Sequence, residues 1–122
     1  SQVNNNYLNI EAVSDIECLS FDLYTELTYL EPFGISNTEP LIMLKNVRSL
    51  IPKKFGKKNN HISCLLEDIY GSKIRAYTFN TIHTEIEKLL MNRSKINVVG
   101  KVKLNEWNNE KKIHFIIEDI MI

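Results

Sequence analysis

The order of residue patterns in the last two thirds of the chain is the feature that most constrains its fold. Five runs have the apolar or alternating pattern of β-strands. The predicted strands are Leu41–Ile51, His61–Glu67, Lys73–Phe79, Ile96–Leu104 and Lys112–Ile122. Between the third and the fourth, the apolar residues of Ile82–Leu90 recur at the i, i+4, i+7, i+8 spacing of a short amphipathic helix, and Thr84 with Glu87 predicts its N-terminal cap. Gly100, inside the fourth strand, predicts a bulge or bend.

Five short strands with one helix between the third and the fourth match the OB-fold, a small, partly open Greek-key barrel. The sequence therefore predicts a mainly β, five-stranded OB-fold domain over residues 41–122. An α+β sandwich could use the same order of elements. No apolar run approaches the roughly 18 residues that a membrane span needs, so we expect no membrane partner.

The first 40 residues have a different pattern. Tyr7–Val13 alternates like a strand, and Ser14–Glu17 has the spacing of a capping box. Leucines at positions 19, 23, 27 and 30 then predict a helix of about three turns. The stretch Glu31–Pro40, which contains two prolines and a glycine, predicts a shaped connecting loop.

Charge is divided unevenly along the chain, although the net charge is zero. Residues 1–44 contain seven acidic residues and no Lys or Arg, so residues 45–122 hold all 15 basic residues against eight acidic ones. A basic domain is the usual footprint of a protein that binds a polyanion. The alternative is that the acidic N-terminal segment docks on the basic domain and neutralises it.

Sequence motifs for catalysis or metal binding are lacking. His61, His83 and His114 lie on different predicted elements, and neither Cys18 nor Cys64 has a partner at the spacing of zinc ligands. Both cysteines lie in apolar patterns, which predicts small buried side chains and a reducing compartment. We therefore expect no catalytic residue, metal site or cofactor within this chain.

Nucleic acid binds OB-folds across the second and third strands and between the loops that join strands 1–2 and 4–5. The first of these loops is predicted at Pro52–Asn60 and carries four lysines, and the second, Asn105–Glu110, carries Trp107. Lysines neutralise phosphates, and an aromatic ring stacks on a base for roughly 1–3 kcal/mol. The residues predicted to contact nucleic acid are Lys53, Lys54, Phe55, Lys57, Lys58, His61, Arg75, Tyr77, Lys101, Lys103, Trp107, Lys111 and Lys112.

Structural roles are the alternative for several of these side chains. Trp107 could cover one end of the barrel, and Tyr77 could pack in the core. The lysines of the first predicted loop could be a solvated tip, which is the common role of such residues.

Three stretches of the chain resemble the C-terminal part of RecJ-type exonucleases, which are specific for single strands. Leu30–Pro40 (LEPFGISNTEP) looks like that family's LEPFGxGNPEP signature. Asn105–Trp107, followed by Ile113–Ile120, is similar to its NEW/NEF turn and closing strand. Gly56 followed by His61 is similar to the entry into its second strand.

The resemblance implies a piece of a bacterial cytoplasmic enzyme that degrades single-stranded DNA from its 5′ end in recombination and mismatch repair. In such enzymes the chemistry belongs to DHH and DHH-associated domains with Mn²⁺ or Mg²⁺, and their motifs are not in this chain. Residues 1–14 would be the end of the DHH-associated domain, residues 15–40 a connecting helix and loop, and residues 41–122 the OB domain that grips DNA. The implied partners are single-stranded DNA, the catalytic domains of the same protein and other DNA-repair proteins.

The chain departs from the family's residues at three positions. Ser36 and Thr38 replace a glycine and a proline of the signature, which predicts a less rigid loop. Ser63 replaces the lysine that follows the histidine, which removes one expected phosphate contact.

Two other functions stay open on the sequence. The barrel could be a docking module for the same enzyme with little DNA affinity of its own, as the acidic first 44 residues favour. It could also be an RNA-binding OB domain, and competition between DNA and RNA oligomers would separate that function from DNA binding.

Overall fold

The computed structural model describes residues 10–19 and 41–121. Its elements are β1 (Ile10–Ser14), β2 (Leu41–Phe55), β3 (His61–Glu67), β4 (Lys73–Thr78), α1 (Glu85–Met91), β5 (Ile96–Trp107) and β6 (Glu110–Met121). The predicted order of five strands, with one helix between the third and the fourth, is confirmed by β2 to β6 and α1. Within these ranges no helix is long and apolar enough to cross a membrane.

Strands β2 to β6 form a closed barrel. Neighbouring strands follow the order β2-β3-β4-β6-β5, and β5 pairs back with β2, where Ile42 lies beside Gly100. The pairs within the barrel are antiparallel except β4–β6, which is parallel. This closed, mainly β arrangement is the predicted OB-fold.

Strict alternation along the central strands fills the barrel with apolar side chains. Ile62, Cys64 and Leu66 of β3 point inward, and Ile74 and Ala76 of β4 do the same. Their neighbours in sequence therefore face outward, because successive side chains of a strand project to opposite faces. This alternation places the residues of the candidate site.

Helix α1 closes one end of the barrel with Leu90, which is fully buried. The hydroxyl of Thr84 accepts a hydrogen bond from the backbone N–H of Glu87, so the predicted cap is confirmed. The predicted bulge at Gly100 is also confirmed by a register shift between Val99 and Gly100. A Cβ at Gly100 would collide with the carbonyl oxygen of Ile116, so this close approach requires glycine.

Strand β2 continues further than the sequence predicts. A register shift between Leu50 and Lys53 lets β2 run on to Phe55, so the prediction of a loop from residue 52 is wrong for residues 52–55. The turn is confined to residues 56–60.

The β5–β6 hairpin is also longer than predicted. A two-residue turn at Asn108 and Asn109, both with positive φ (56° and 65°), lets Trp107 pair with Glu110. The prediction of a turn over Asn105–Glu110 is therefore wrong for all but these two asparagines.

Strand β1 adds to the outside of the barrel by pairing parallel to the start of β2, and it overlaps the strand predicted at Tyr7–Val13. After Ser14 the chain forms a turn at residues 16–18, so the capping box predicted at Ser14–Glu17 is wrong. The carboxylate of Asp68 fixes this turn, because it accepts a hydrogen bond from the backbone N–H of Ile16 (3.2 Å). The assignment of residues 1–14 to a preceding domain stays a prediction, and the helix and loop predicted between residues 20 and 40 lie outside the described residues.

The two cysteines differ in exposure. Cys64 is buried in the barrel, as predicted, whereas the prediction for Cys18 is wrong because its turn is on the surface. Burial raises the pKa of the Cys64 thiol.

Candidate nucleic-acid interface

Five aromatic side chains form a continuous band on the outer face of the barrel, which we call the aromatic strip. In spatial order its members are Phe79, His61, Phe55, Tyr77 and His114. The distances between successive ring centroids are 5.2, 5.3, 6.0 and 5.4 Å. Successive rings meet at angles of 51° to 77°; the Phe79–His61 and Phe55–Tyr77 contacts are edge-to-face and the other two are tilted.

Strand register explains how residues from four segments meet in one strip. Phe55 lies directly opposite His61, and Ser63 lies directly opposite Tyr77. Directly opposed residues project to the same face of a sheet, and so do residues two apart on one strand. Because Ile62 between His61 and Ser63 fills the core, the strip faces outward.

His61 is fixed by the segment that leads into α1. Its Nδ1 accepts a hydrogen bond from the backbone N–H of Asn80 at 3.0 Å. The side chain of Asn60 donates to Oδ1 of Asn80 (2.8 Å), and the backbone N–H of Thr81 donates to the carbonyl of Asn60 (3.2 Å). The ring of His61 also packs against Gly56, where a Cβ would lie 2.7 Å from Cδ2 of His61. The turn after β2 is thereby bound to the turn after β4.

The neighbouring lysines of β2 lie on opposite faces. Lys53 pairs with Ser63 and shares the face of the strip, whereas Lys54 pairs with the buried Ile62. Lys54 forms an ion pair with Glu87 of α1 (2.8 Å). This contact and a hydrogen bond from the backbone of His83 lower the pKa of the Glu87 carboxyl. Lys54 is thus engaged on the helix side, away from the strip.

Lys57 and Lys58 are exposed in the turn at one end of the strip, next to Phe55. Neither residue belongs to a strand, so register does not assign their side chains to a face. Their predicted contact with nucleic acid stays a prediction that rests on position.

At the other end, the β5–β6 hairpin extends the strip with a shallow cleft of about 250 Å³. The cleft is lined by Asn105, Trp107, Glu110, Lys112 and His114. Trp107 is 74% exposed, so the alternative that it covers the end of the barrel is wrong. The alternative that Tyr77 packs in the core is also wrong, since its ring lies on the outer face between Phe55 and His114.

Several predicted basic residues surround this cleft. Lys103 lies directly opposite His114, and Lys101 is two residues further along the same face of β5. Lys111 instead lies opposite Glu106, on the other face of the hairpin.

Arg75 is two residues from Tyr77 on β4 and donates a hydrogen bond to Oγ of Ser63 (3.4 Å). Arg75 and Lys112 are close enough to repel a proton on His114. Partial burial is the largest cause that lowers the pKa of His114, and these two cations lower it further.

Phe79 and His114 were not among the residues predicted to contact nucleic acid, although both belong to the strip. Both could have been found from alternation, because Phe79 follows Arg75 and Tyr77 at every second position and His114 precedes the buried Phe115.

Two relatives show what the chain is similar to. It is 26% identical over 113 residues to the single-stranded-DNA-specific exonuclease RecJ of Bacillus subtilis, and the match covers 93% of this chain but 14% of that protein. It also resembles the crystal structure of RecJ from Thermus thermophilus in complex with Mn²⁺ (TM-score 0.58, 21% identity), over 82% of this chain and 13% of the other. This chain therefore spans about one seventh of the length of the relatives that it matches.

The Mn²⁺ of the Thermus structure has no counterpart set of ligands in residues 10–19 and 41–121. No group of three or more His, Cys, Asp or Glu side chains converges there. The buried carboxylate of Asp68 is occupied by the backbone N–H groups of Ile16, Tyr70 and Ser72. These residues do not fit a manganese site.

The family model that describes the RecJ OB domain matches residues 10–119. The match includes β2 to β5, the helix α1, the aromatic strip and β6 as far as Asp119. Since it covers most of the chain, and since the closed barrel is the fold that the family name states, the chain belongs to the RecJ OB domain family.

Proposed function

We propose that this chain binds single-stranded DNA along the aromatic strip, as the OB domain of an exonuclease that degrades single strands from the 5′ end. The observation that carries the proposal is the strip itself, a row of rings on the outer face with Lys53, Arg75 and Lys112 beside it. The stated substrate of the B. subtilis relative supports the same class of ligand.

The geometry suits a strand whose bases are unpaired. Ring faces that remain accessible, above all Trp107 and Phe79, offer stacking surfaces to successive bases, and stacking tolerates any base because each has a π-face. Duplex DNA keeps its base faces stacked internally, so the strip discriminates against it. The adjacent cations follow the phosphates of the bound strand.

In the longer protein, this grip would hold the strand while other domains cleave it. We place the metal chemistry in the preceding DHH and DHH-associated domains, with residues 15–40 as the connection to the barrel. Bacterial cytoplasm, recombination, mismatch repair and other repair proteins as partners belong to the same proposal.

The test is fluorescence anisotropy of a labelled oligo(dT) titrated with the 122-residue chain at several salt concentrations. We expect saturable binding that weakens with salt. Trp107→Ala should reduce affinity by about 1–3 kcal/mol, from about 5-fold to over 100-fold, and Trp107→Phe should retain most of it. Because Trp107 is exposed, urea unfolding of both variants should match the parent.

Three outcomes would contradict the proposal. Absence of binding at low salt would favour a docking module instead. Equal affinity of the parent and Trp107→Ala would remove the hairpin from the interface. Stronger competition by oligo(U) than by oligo(dT) would favour RNA as the ligand.

A further inference from the structure

The cleft on the β5–β6 hairpin has the exposed indole of Trp107, one cation (Lys112) and one carboxylate (Glu110) in its lining. Trp107 and His114 lie on its two sides and Lys112 lies between them, all on one face of the hairpin. The ring of His114 also packs on Tyr77, which joins the cleft to the aromatic strip. A strand that follows the strip therefore reaches this cleft.

The charges around His114 come from every strand packed against it. They are Arg75 on β4, Lys101 and Lys103 on β5, and Lys112 and Glu110 on β6, with the Tyr77 hydroxyl on β4 as a further titratable group. An imidazolium is disfavoured in this setting because it adds a further positive charge to a partly buried group.

A phosphate bound in the cleft shifts the protonation equilibrium of His114 in the opposite direction. Its negative charge offsets Arg75 and Lys112 and offers an acceptor to a protonated ring, so it favours the imidazolium where the free protein disfavours it. The consequence is a coupling between occupation of the cleft and protonation of His114.

We infer that the cleft between Trp107 and His114 binds one nucleotide of the single strand, with its base on Trp107 and its phosphate held by Arg75, Lys112 and protonated His114, so that DNA binding takes up a proton. This inference rests on the proposed function, because it assigns a role within the same interface. It makes affinity for single strands rise as the pH falls.

The sign follows from linkage. The pKa of His114 is lowered in the free chain and is raised when phosphate binds, so the bound state carries more protons between the two values. Affinity is therefore lowest above both values and increases as the pH falls through that window, by up to tenfold for each unit that separates them.

The experiment measures the affinity of the 122-residue chain for oligo(dT) at constant ionic strength from about pH 7.5 to about pH 5.5, the range in which histidine titrates. Thymine has no titrating group in this range, so the ligand does not contribute. We expect affinity to rise several-fold toward low pH. His114→Gln removes one ring of the strip and should bind more weakly than the parent at every pH, and it should lose most of the rise toward low pH.

His83→Asn is the matched control. His83 is exposed, lies away from the cleft and has a positive φ of 68°, which asparagine tolerates. It should keep the full rise. As a second readout, the pKa of His114 followed through the NMR shifts of its ring protons should increase when oligo(dT) binds.

The outcomes separate this inference from the function on which it rests. Saturable binding with a flat pH profile, or a rise that persists in His114→Gln, would overturn the inference and leave the DNA interface intact. An unchanged pKa of His114 in the complex would also overturn it. Absence of binding at every pH and salt concentration would overturn both.

Discussion

The backbone N–H of Asn80 donates its hydrogen bond to Nδ1 of His61 at 3.0 Å, and this contact determines the tautomer of the ring. Because Nδ1 is the acceptor, the proton of the neutral imidazole is on Nε2. His61 is thereby held between Phe55 and Phe79 as an oriented ring whose donor is Nε2. The position of His61 in the strip thus depends on the backbone of the segment that follows β4.

Alanine substitutions at Gly56 and Gly71 test whether the orientation of the His61 ring depends on Gly56. Gly56→Ala should place a Cβ against the His61 ring and weaken oligo(dT) binding several-fold. Gly71→Ala is the control, because Gly71 has a similar φ (+86° against +97°) but nothing within 4 Å of its Cβ position. Both should lose about 1–2 kcal/mol in urea unfolding from the strained φ. Equal binding by the two variants would show that the orientation of His61 is irrelevant to the interface.

Adjacent lysines on opposite faces should differ in their contribution to DNA binding. Lys53→Ala should reduce the slope of log affinity against log salt by about 0.7, the value for one phosphate contact with a single strand. Lys54→Ala should change it little, because Lys54 lies on the other face and is paired with Glu87. The slopes come from anisotropy titrations at four or more salt concentrations. Equal reductions would mean that the DNA contacts both faces of β2.

A substitution at Ile51, in the bulge of β2, should stabilise the protein. Ile51 is β-branched, has a positive φ of 49° and is 60% exposed, so its conformation costs energy and its side chain recovers little by burial. Ile51→Asn should therefore increase the free energy of unfolding by about 1 kcal/mol.

Ile69 is the matched control for this substitution because it is equally exposed. Ile69→Asn should leave the unfolding free energy within about 0.5 kcal/mol of the parent. A loss of stability in Ile51→Asn, measured by urea unfolding, would mean that the isoleucine side chain makes a contact worth more than the strain.

The two thiols should differ in their reactivity. A thiol reagent such as Ellman's should modify Cys18 rapidly in the native chain, whereas Cys64 is buried and its raised pKa keeps it in the unreactive thiol form. One equivalent should react in native buffer and two in denaturant. Cys18→Ser should abolish the fast phase, and a fast phase that survived this substitution would show that the barrel opens readily around Cys64.

The barrel could be predicted from the sequence because the patterns that indicate its strands and helix lie within short segments. Alternation at Ile62, Cys64 and Leu66, and the change of period before α1, depend on neighbouring residues alone. The extent of β2 could not be predicted in this way, since it depends on a bulge at Ile51, a residue type that disfavours positive φ. The longer β5–β6 hairpin was within reach, because the pair Asn108 and Asn109 favours a two-residue turn with positive φ.

The types of residue in the candidate site could be predicted from the sequence, but their spatial arrangement could not. The aromatic and basic residues near the β2–β3 and β5–β6 connections were identified from the sequence, yet Lys53 and Lys54 could not be distinguished while both were placed in a loop. Their opposite orientation follows from pairing with Ser63 and Ile62 of another strand. The register of two strands is set when they pair in the sheet, so the residues of one segment alone do not determine it.

The pairing of Ile42 with Gly100 joins parts of the chain more than fifty residues apart. The β3–β4 and β5–β6 hairpins have short turns, and such hairpins form within roughly 1–10 μs. Barrels rich in distant contacts fold over about milliseconds to seconds, because loop entropy must be lost before those contacts form. We therefore expect the β2–β5 seam to close last. Until it does, β2 and β5 each present an unpaired edge to other molecules, and the newly made chain is then most vulnerable to aggregation.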